Sequence, residues 1–157
     1  MARNLPINAG KRLQVADILF PFVEADRVIN LPLVKQHGLS GATLSMKNWY
    51  GMLGGQRVKL HQDIHQSIVD LASMIKSTLT IMDATRILLA NGPTGGSLAD
   101  VKQMDTIAVS ADEVALDAFG ASLLGLNPAD VGFIVEGMKA GLGTMNWRSL
   151  KTVELGG

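Results

Sequence analysis

Between positions 111 and 124 the chain presents Val114, Ala115, Leu116, Ala118, Phe119, Ala121, Leu123 and Leu124, apolar on nearly every face of a helix. Such a helix must be enclosed rather than laid on a surface, so the rest of the chain has to supply layers around it. With 157 residues and 47% hydrophobic content, one domain suffices for that. Ser110 and Glu113 stand three apart, as a capping box demands, and predict a start at Ala111, while Gly125 predicts the stop. Asp117 is the anomaly in this segment, because a carboxylate among apolar side chains needs a partner or water, and a lysine from a basic segment upstream is the expected partner.

The surrounding sequence reads as strands alternating with helices. Residues 1–12, polar and interrupted by Pro6 and Gly10, are expected to be an irregular lead-in, followed by a single α/β domain over 13–157. Leu13, Val15, Ile18 and Leu19 suggest a short strand and turn, and residues 26–31 a buried strand ended by Pro32. Residues 60–76 carry a helical stripe of Ile64, Ile68, Leu71 and Ile75; residues 79–83 and 106–110 read as strands, and 91–97 as a loop. Asn127, Pro128 and Asp130 open a helix running to about Ala140, and residues 150–155 are expected as a terminal edge strand. The fold class predicted is a layered α/β domain with a mixed, partly parallel sheet flanked by helices. Ligands in such folds collect at the carboxyl ends of strands, which this reading assigns to Lys35 and His37, the 91–97 loop and Ser110 on one rim.

Charge divides the chain. Lysine and arginine balance aspartate and glutamate at 14 each, so no global polyanion-binding signature exists and no nucleic-acid partner is expected. Yet residues 27–62 hold Arg27, Lys35, His37, Lys47, Arg57, Lys59 and His61 without one carboxylate, whereas 100–136 holds seven carboxylates against Lys102. The absence of cysteine excludes disulfides, thiolate-bound zinc and iron–sulfur clusters within this chain. No segment is long and apolar enough to span a bilayer and the start lacks the apolar run of a signal peptide, so a cytoplasmic protein without membrane contact is expected.

The carboxylate-free segment is where chemistry is expected. Lys35 and His37 leave an extended segment on the same side, and Lys47 with Asn48 adds a second cation and an amide, a set suited to an anionic ligand; snorkelling lysines around a turn would produce the same pattern. His61 and His65, four apart, share a helix face and form a candidate divalent-metal site, for which Asp63 points the wrong way and His37 would have to supply a third ligand. A core-flanking histidine beside a half-exposed one is the alternative. Loop 91–97 exposes backbone amides but lacks the Gly-Lys-Ser/Thr ending of a P-loop.

The order Asp26-Arg-Val-Ile-Asn-Leu-Pro-Leu-Val-Lys35-Gln-His37, Gly41-Ala-Thr43-Leu-Ser-Met-Lys47-Asn48, Gly51, Leu60-His61, Asp70-Leu71, Thr80-Ile-Met-Asp83, Asn91-Gly92-Pro93 and Asp112-Glu-Val-Ala-Leu-Asp117 resembles the uncharacterised prokaryotic family called domain of unknown function three-six-two, over about residues 15–143. The resemblance implies an iron–sulfur-associated protein, with the cluster on a partner or on a missing upstream domain, and it implies that this chain is either the carboxyl-terminal portion of a larger protein or a naturally short relative. The polar positions it carries over are Lys35, His37, Thr43, Lys47, Asn48, His61, Asp83, Asn91 and Asp117, with no established reaction attached. Gln36 and Glu113 depart from the threonine and proline common in the family. Three functions are then expected in turn: an anion-binding domain using Lys35, Thr43, Lys47, Asn48 and Asn91; an enzyme with His37 or His61 as acid–base group or metal ligand and Asp83 or Asp117 orienting it; and a non-catalytic module assembling with a second copy or another domain.

Overall fold

The computed structural model describes residues 1–55, 62–94 and 96–156. Its main sheet is built from β3 (Ile29–Asn30), β4 (Leu33–His37), β5 (Gly41–Thr43), β6 (Leu79–Leu88) and β7 (Val101–Ser110). Both β3 and β4 run parallel to the same edge of β6, β7 runs antiparallel along its other edge, and β5 pairs antiparallel with β4. The sheet is therefore mixed, with parallel strands, as the alternating pattern predicts.

Proline explains why β3 and β4 are two short strands. Pro32 has no N–H to give the ladder, but its carbonyl accepts from Asp83 N at 2.9 Å, so the chain stays alongside β6 and pairing resumes at Leu33. The strand expected over 26–31 thus shrinks to two residues, and Ile29 is exposed rather than buried.

Side chains alternate across the sheet and separate two very different faces. Asn30, Val34, Ala42, Thr80, Met82 and Ala84 are buried on the inner face. Against it lie the helices α2 (Ser45–Asn48), α3 (Ile64–Met74), α4 (Glu113–Leu123) and α5 (Gly132–Lys139), with Phe133, Ile134, Ile68 and Leu71 fully enclosed. The enclosed helix approaches the sheet closely: a Cβ on Gly120 would stand 2.8 Å from Leu44 Cδ2 and 2.9 Å from Met82 Sδ. On the outer face Ile29, Leu33, Ile107 and Val109 are exposed, although the register sets Ile81 against Val109 and Asp83 against Ile107.

Several ends differ from expectation. Within the supposed lead-in, Ala2–Pro6 forms β1, which pairs antiparallel with β2 (Val15–Leu19); a five-residue helix, α1 (Phe20–Glu24), follows. Alternation is absent from the β1 sequence, and what holds this hairpin in place lies elsewhere in the chain. The buried Asp70 carboxylate on α3 accepts from the backbone N–H groups of Lys11, Arg12 and Leu13 at 3.1, 2.7 and 2.8 Å, and from Gln66 Nε2 at 2.7 Å. The helix expected over 60–76 is seen as α3 from Ile64, its first expected residues lying outside the described ones. No strand forms at 150–155, where the side chains are exposed.

Asp70 gives the first prediction. Asp70→Ala leaves three backbone donors and one side-chain donor without their acceptor, so urea denaturation should show a loss of about 3 kcal/mol. An unchanged denaturation midpoint would mean that water replaces the carboxylate at no cost.

Candidate functional site

Two carboxyl groups one helical turn apart on α4 organise the ground under the basic segment. Asp117, fully buried, accepts from Ser45 N at 2.6 Å and from Met46 N at 3.0 Å, so it caps the first turn of α2 from another element. The partner expected for it was a lysine; the backbone of the lysine-bearing helix occupies it instead. Burial pushes its carboxyl up to about 8, with the Glu113 charge adding to the rise and the two amides opposing it.

Glu113 gathers side chains from three other elements. Its Oε1 accepts from Asn30 Nδ2 at 2.8 Å, Ser77 Oγ at 3.0 Å and Thr80 Oγ1 at 2.8 Å, and its Oε2 from Trp49 Nε1 at 2.8 Å. It does not close a capping box: the α4 cap is Asp112, which accepts from Ala115 N, and Ser110 Oγ accepts from Asp112 N. A cleft of about 190 Å³ opens beside Glu113, lined in part by Met46, Lys76, Ser77 and Leu142.

The basic segment itself divides. Lys35 on β4 lies opposite Thr43 on β5. Lys47, two residues into α2, is only 8% exposed, its Nζ 5.4 Å from the centre of the Tyr50 ring. Burial first and the Lys35 charge second lower the Lys47 pKa. Neither lysine forms an ion pair among the described residues. Thr43 Oγ1 is buried and, among the described residues, has no hydrogen-bond partner. Burial, then the Asp63 charge, raise the Tyr50 phenol above its ordinary pKa, so it stays protonated at neutral pH.

Other expected site residues are spent on structure. Asn48 Nδ2 donates to Asn30 Oδ1 at 2.7 Å, on the Glu113 side rather than the Lys35 side. His37 is buried, and its Nδ1 accepts from the N–H groups of Leu39 and Ser40, which fixes the β4–β5 turn. Asn91, at φ +55°, donates to Asp100 Oδ2. Asp83 sits on the outer face, where Thr85 donates to it from both backbone and hydroxyl and holds its carboxyl below the usual range. Because Asp117 approaches from the helix layer, the sheet separates these two carboxylates.

The expected single rim also divides. Lys35 pairs with Leu88 at the carboxyl end of β6, and the 91–97 loop follows that end, its Gly92 N donating to Gln36 Oε1 at 2.9 Å. Ser110 pairs with Thr80 at the other end, because β7 is antiparallel. For the metal reading, His61 lies outside the described residues, while His65 stacks 6.3 Å from Phe133 with its Nδ1 buried and without a hydrogen-bond partner among the described residues. No group of three potential metal-binding side chains occurs among the described residues.

Sequence reasoning missed the roles of Asn30, Ser77, Thr80, Trp49, Tyr50 and Gln36. A signal for two of them was present: Asn30 and Thr80 are polar positions inside strand-like apolar runs, and a buried polar group requires a partner.

A domain with a mixed α/β sheet and one helix-covered face is the class these features define. The chain belongs to the family described as domain of unknown function (DUF362), whose pattern matches residues 2–122. It is also 31% identical over 117 residues to the thylakoid-associated protein sll1697 of Synechocystis sp., an alignment that covers 69% of this chain and 36% of that protein. The chain therefore spans little more than a third of that relative's length. No solved structure matches the chain.

Asp117 supplies a pH prediction. Its proton is held to about pH 8 in the folded protein but released near 3.8 in an ordinary environment, so folding takes up a proton between those limits. The stabilisation from the protonated carboxyl is complete below about pH 4 and is lost as pH rises through about 8. Thermal melting should show wild type losing stability relative to Asp117→Asn across that window. A constant difference would overturn the assignment.

Proposed function

We propose that this domain binds a small phosphate- or carboxylate-bearing molecule through Lys35 and Lys47, with Thr43 as a hydroxyl partner. The observation that carries the reading is Lys47, only 8% exposed and without an ion-pair partner among the described residues, with the Lys35 charge adding to burial in lowering its pKa. Keeping the Lys47 ammonium charged while it is buried and within reach of the Lys35 charge is unfavourable, and an anion beside it offsets that cost. The position agrees with the rule for open α/β sheets, since Lys35 stands at the carboxyl end of the parallel pair β4 and β6. Asn48 and Asn91, expected among the ligand contacts, are left out of the proposed pocket because both amides serve the surrounding structure.

The resemblance to iron–sulfur-associated proteins extends this reading to a redox setting, with the cluster held outside these residues, by a partner or by another domain, because they contain no cysteine. The name of the Synechocystis relative associates that protein with thylakoids; no helix among the described residues here is long and apolar enough to cross a membrane. A cytoplasmic location stays part of the proposal.

Titration calorimetry with inorganic phosphate, pyrophosphate and citrate tests the pocket. Lys35→Ala and Lys47→Met should each weaken the bound anion by about tenfold, with the wild-type affinity falling as salt rises. Wild-type binding that both variants retain in full would overturn the proposal, as would the absence of binding by all three anions.

A second reading rests on a different observation. Ile29, Leu33, Ile107 and Val109 form an exposed apolar group on the outer face of the sheet. We infer that a second copy of the chain covers this face. Sedimentation equilibrium should then show a dimer in wild type and a folded monomer in Ile107→Asp/Val109→Asp; a wild-type monomer at every concentration would exclude self-association.

A further inference from the structure

We propose that the cleft beside Glu113 is a separate binding site for a small aliphatic α-amino acid, whose ammonium meets the Glu113 carboxylate and whose carboxylate meets Lys76. The site shares no residue with the Lys35 and Lys47 pocket and does not depend on it.

The cleft, of about 190 Å³, opens where three helix ends meet: the end of α3 with the residues that follow it, the first turn of α4, and the turn after α5. Its walls are fastened to one another. Asp112 Oδ2 accepts from Thr144 N at 3.0 Å, which ties the segment after α5 to the start of α4, and Leu142 N donates to Gly137 O at 3.0 Å. On the other side Ser77 Oγ donates to Glu113 Oε1 at 3.0 Å, joining the segment after α3 to the same helix start. Walls joined in this way need little rearrangement to receive a ligand.

Glu113 is held in place with acceptor capacity left over. Three of its hydrogen bonds end on Oε1, which saturates that oxygen, while Oε2 accepts only from Trp49 Nε1 and keeps a lone pair. All of these donors are neutral, and among the described residues the half-buried carboxylate has no ion-pair partner. An ammonium supplies both the missing donor and the missing charge. The carbonyl ends of α3 and α5, which both reach the cleft, favour a positive charge as well.

Lys76 lines the same cleft, yet it is exposed and forms no ion pair with Glu113. Opposite charges that face one cleft without meeting are complementary to a molecule carrying both, and an α-amino acid carries them on neighbouring carbons. Met46, Ile75 and Leu142 add an apolar lining that suits an aliphatic side chain. The volume limits the ligand, since sites for drug-sized molecules begin at about 300 Å³.

Calorimetry on the full chain tests this with L-leucine and L-valine, alongside isopentylamine, which lacks the carboxylate, and isocaproate, which lacks the ammonium. At least one amino acid should bind, the amine about tenfold more weakly, and the acid not measurably. Lys76→Met should weaken the amino acid about tenfold and leave the amine unchanged. Glu113→Gln should abolish binding of both. Leu142→Trp, which fills the cleft without removing any donor to Glu113, should do the same and decides the matter where Glu113→Gln does not fold. No binding of either amino acid to wild type would overturn the proposal. So would binding that Lys76→Met and Leu142→Trp retain in full, or an amine that binds as tightly as the amino acid.

Discussion

The grip of Asp117 on the first two amides of α2 is the interaction on which the rest of this site depends. The helix is a single turn, too short to persist by its own hydrogen bonds, and a buried carboxyl from α4 fixes where it starts. Since Lys47 sits two residues further on, the position of its amine against Tyr50 follows from where that attachment starts the helix. Glu113, one turn earlier on α4, ties β3, β6 and the turn at Trp49 to the same helix. Removing either carboxyl would loosen the ground beneath the basic segment without touching a basic residue.

Much of the fold was legible in the sequence because apolar periodicity is a local property. Segments 64–74, 79–88, 101–110 and 113–123 all contain the elements that their patterns predict, differing mainly in length. The errors arose where a distant partner decides the outcome. The β1–β2 hairpin has little local signal because Asp70, well over fifty residues away, binds the turn between its strands. Residues 150–155 look strand-like, yet their side chains stay exposed and they form no strand. Ser110 and Glu113 have capping-box spacing, yet four donors from other elements draw Glu113 away and leave the cap to Asp112.

The candidate site was legible in its charges and not in its geometry. An acid-free basic segment could be recognised from composition, but which lysine is buried cannot be read from spacing. Asn48 and Lys47 are adjacent and diverge: the amide joins the Glu113 cluster, and the amine goes to Tyr50. His37 and Lys35 share one strand and likewise separate in task, the histidine closing a turn and the lysine facing Thr43. A polar residue's role in this protein is set by which buried group claims it first.

The uncovered outer face has a thermodynamic meaning beyond its shape. The inner face of the sheet is settled by intramolecular packing, so its contribution to folding does not depend on what else is in solution. The outer face contributes only when something occupies it. For any occupant that binds the folded chain and not the unfolded one, occupancy and stability form a single linked equilibrium, and the melting temperature becomes a function of the occupant's concentration. A domain built this way reports, through its own stability, how much of its cover is present.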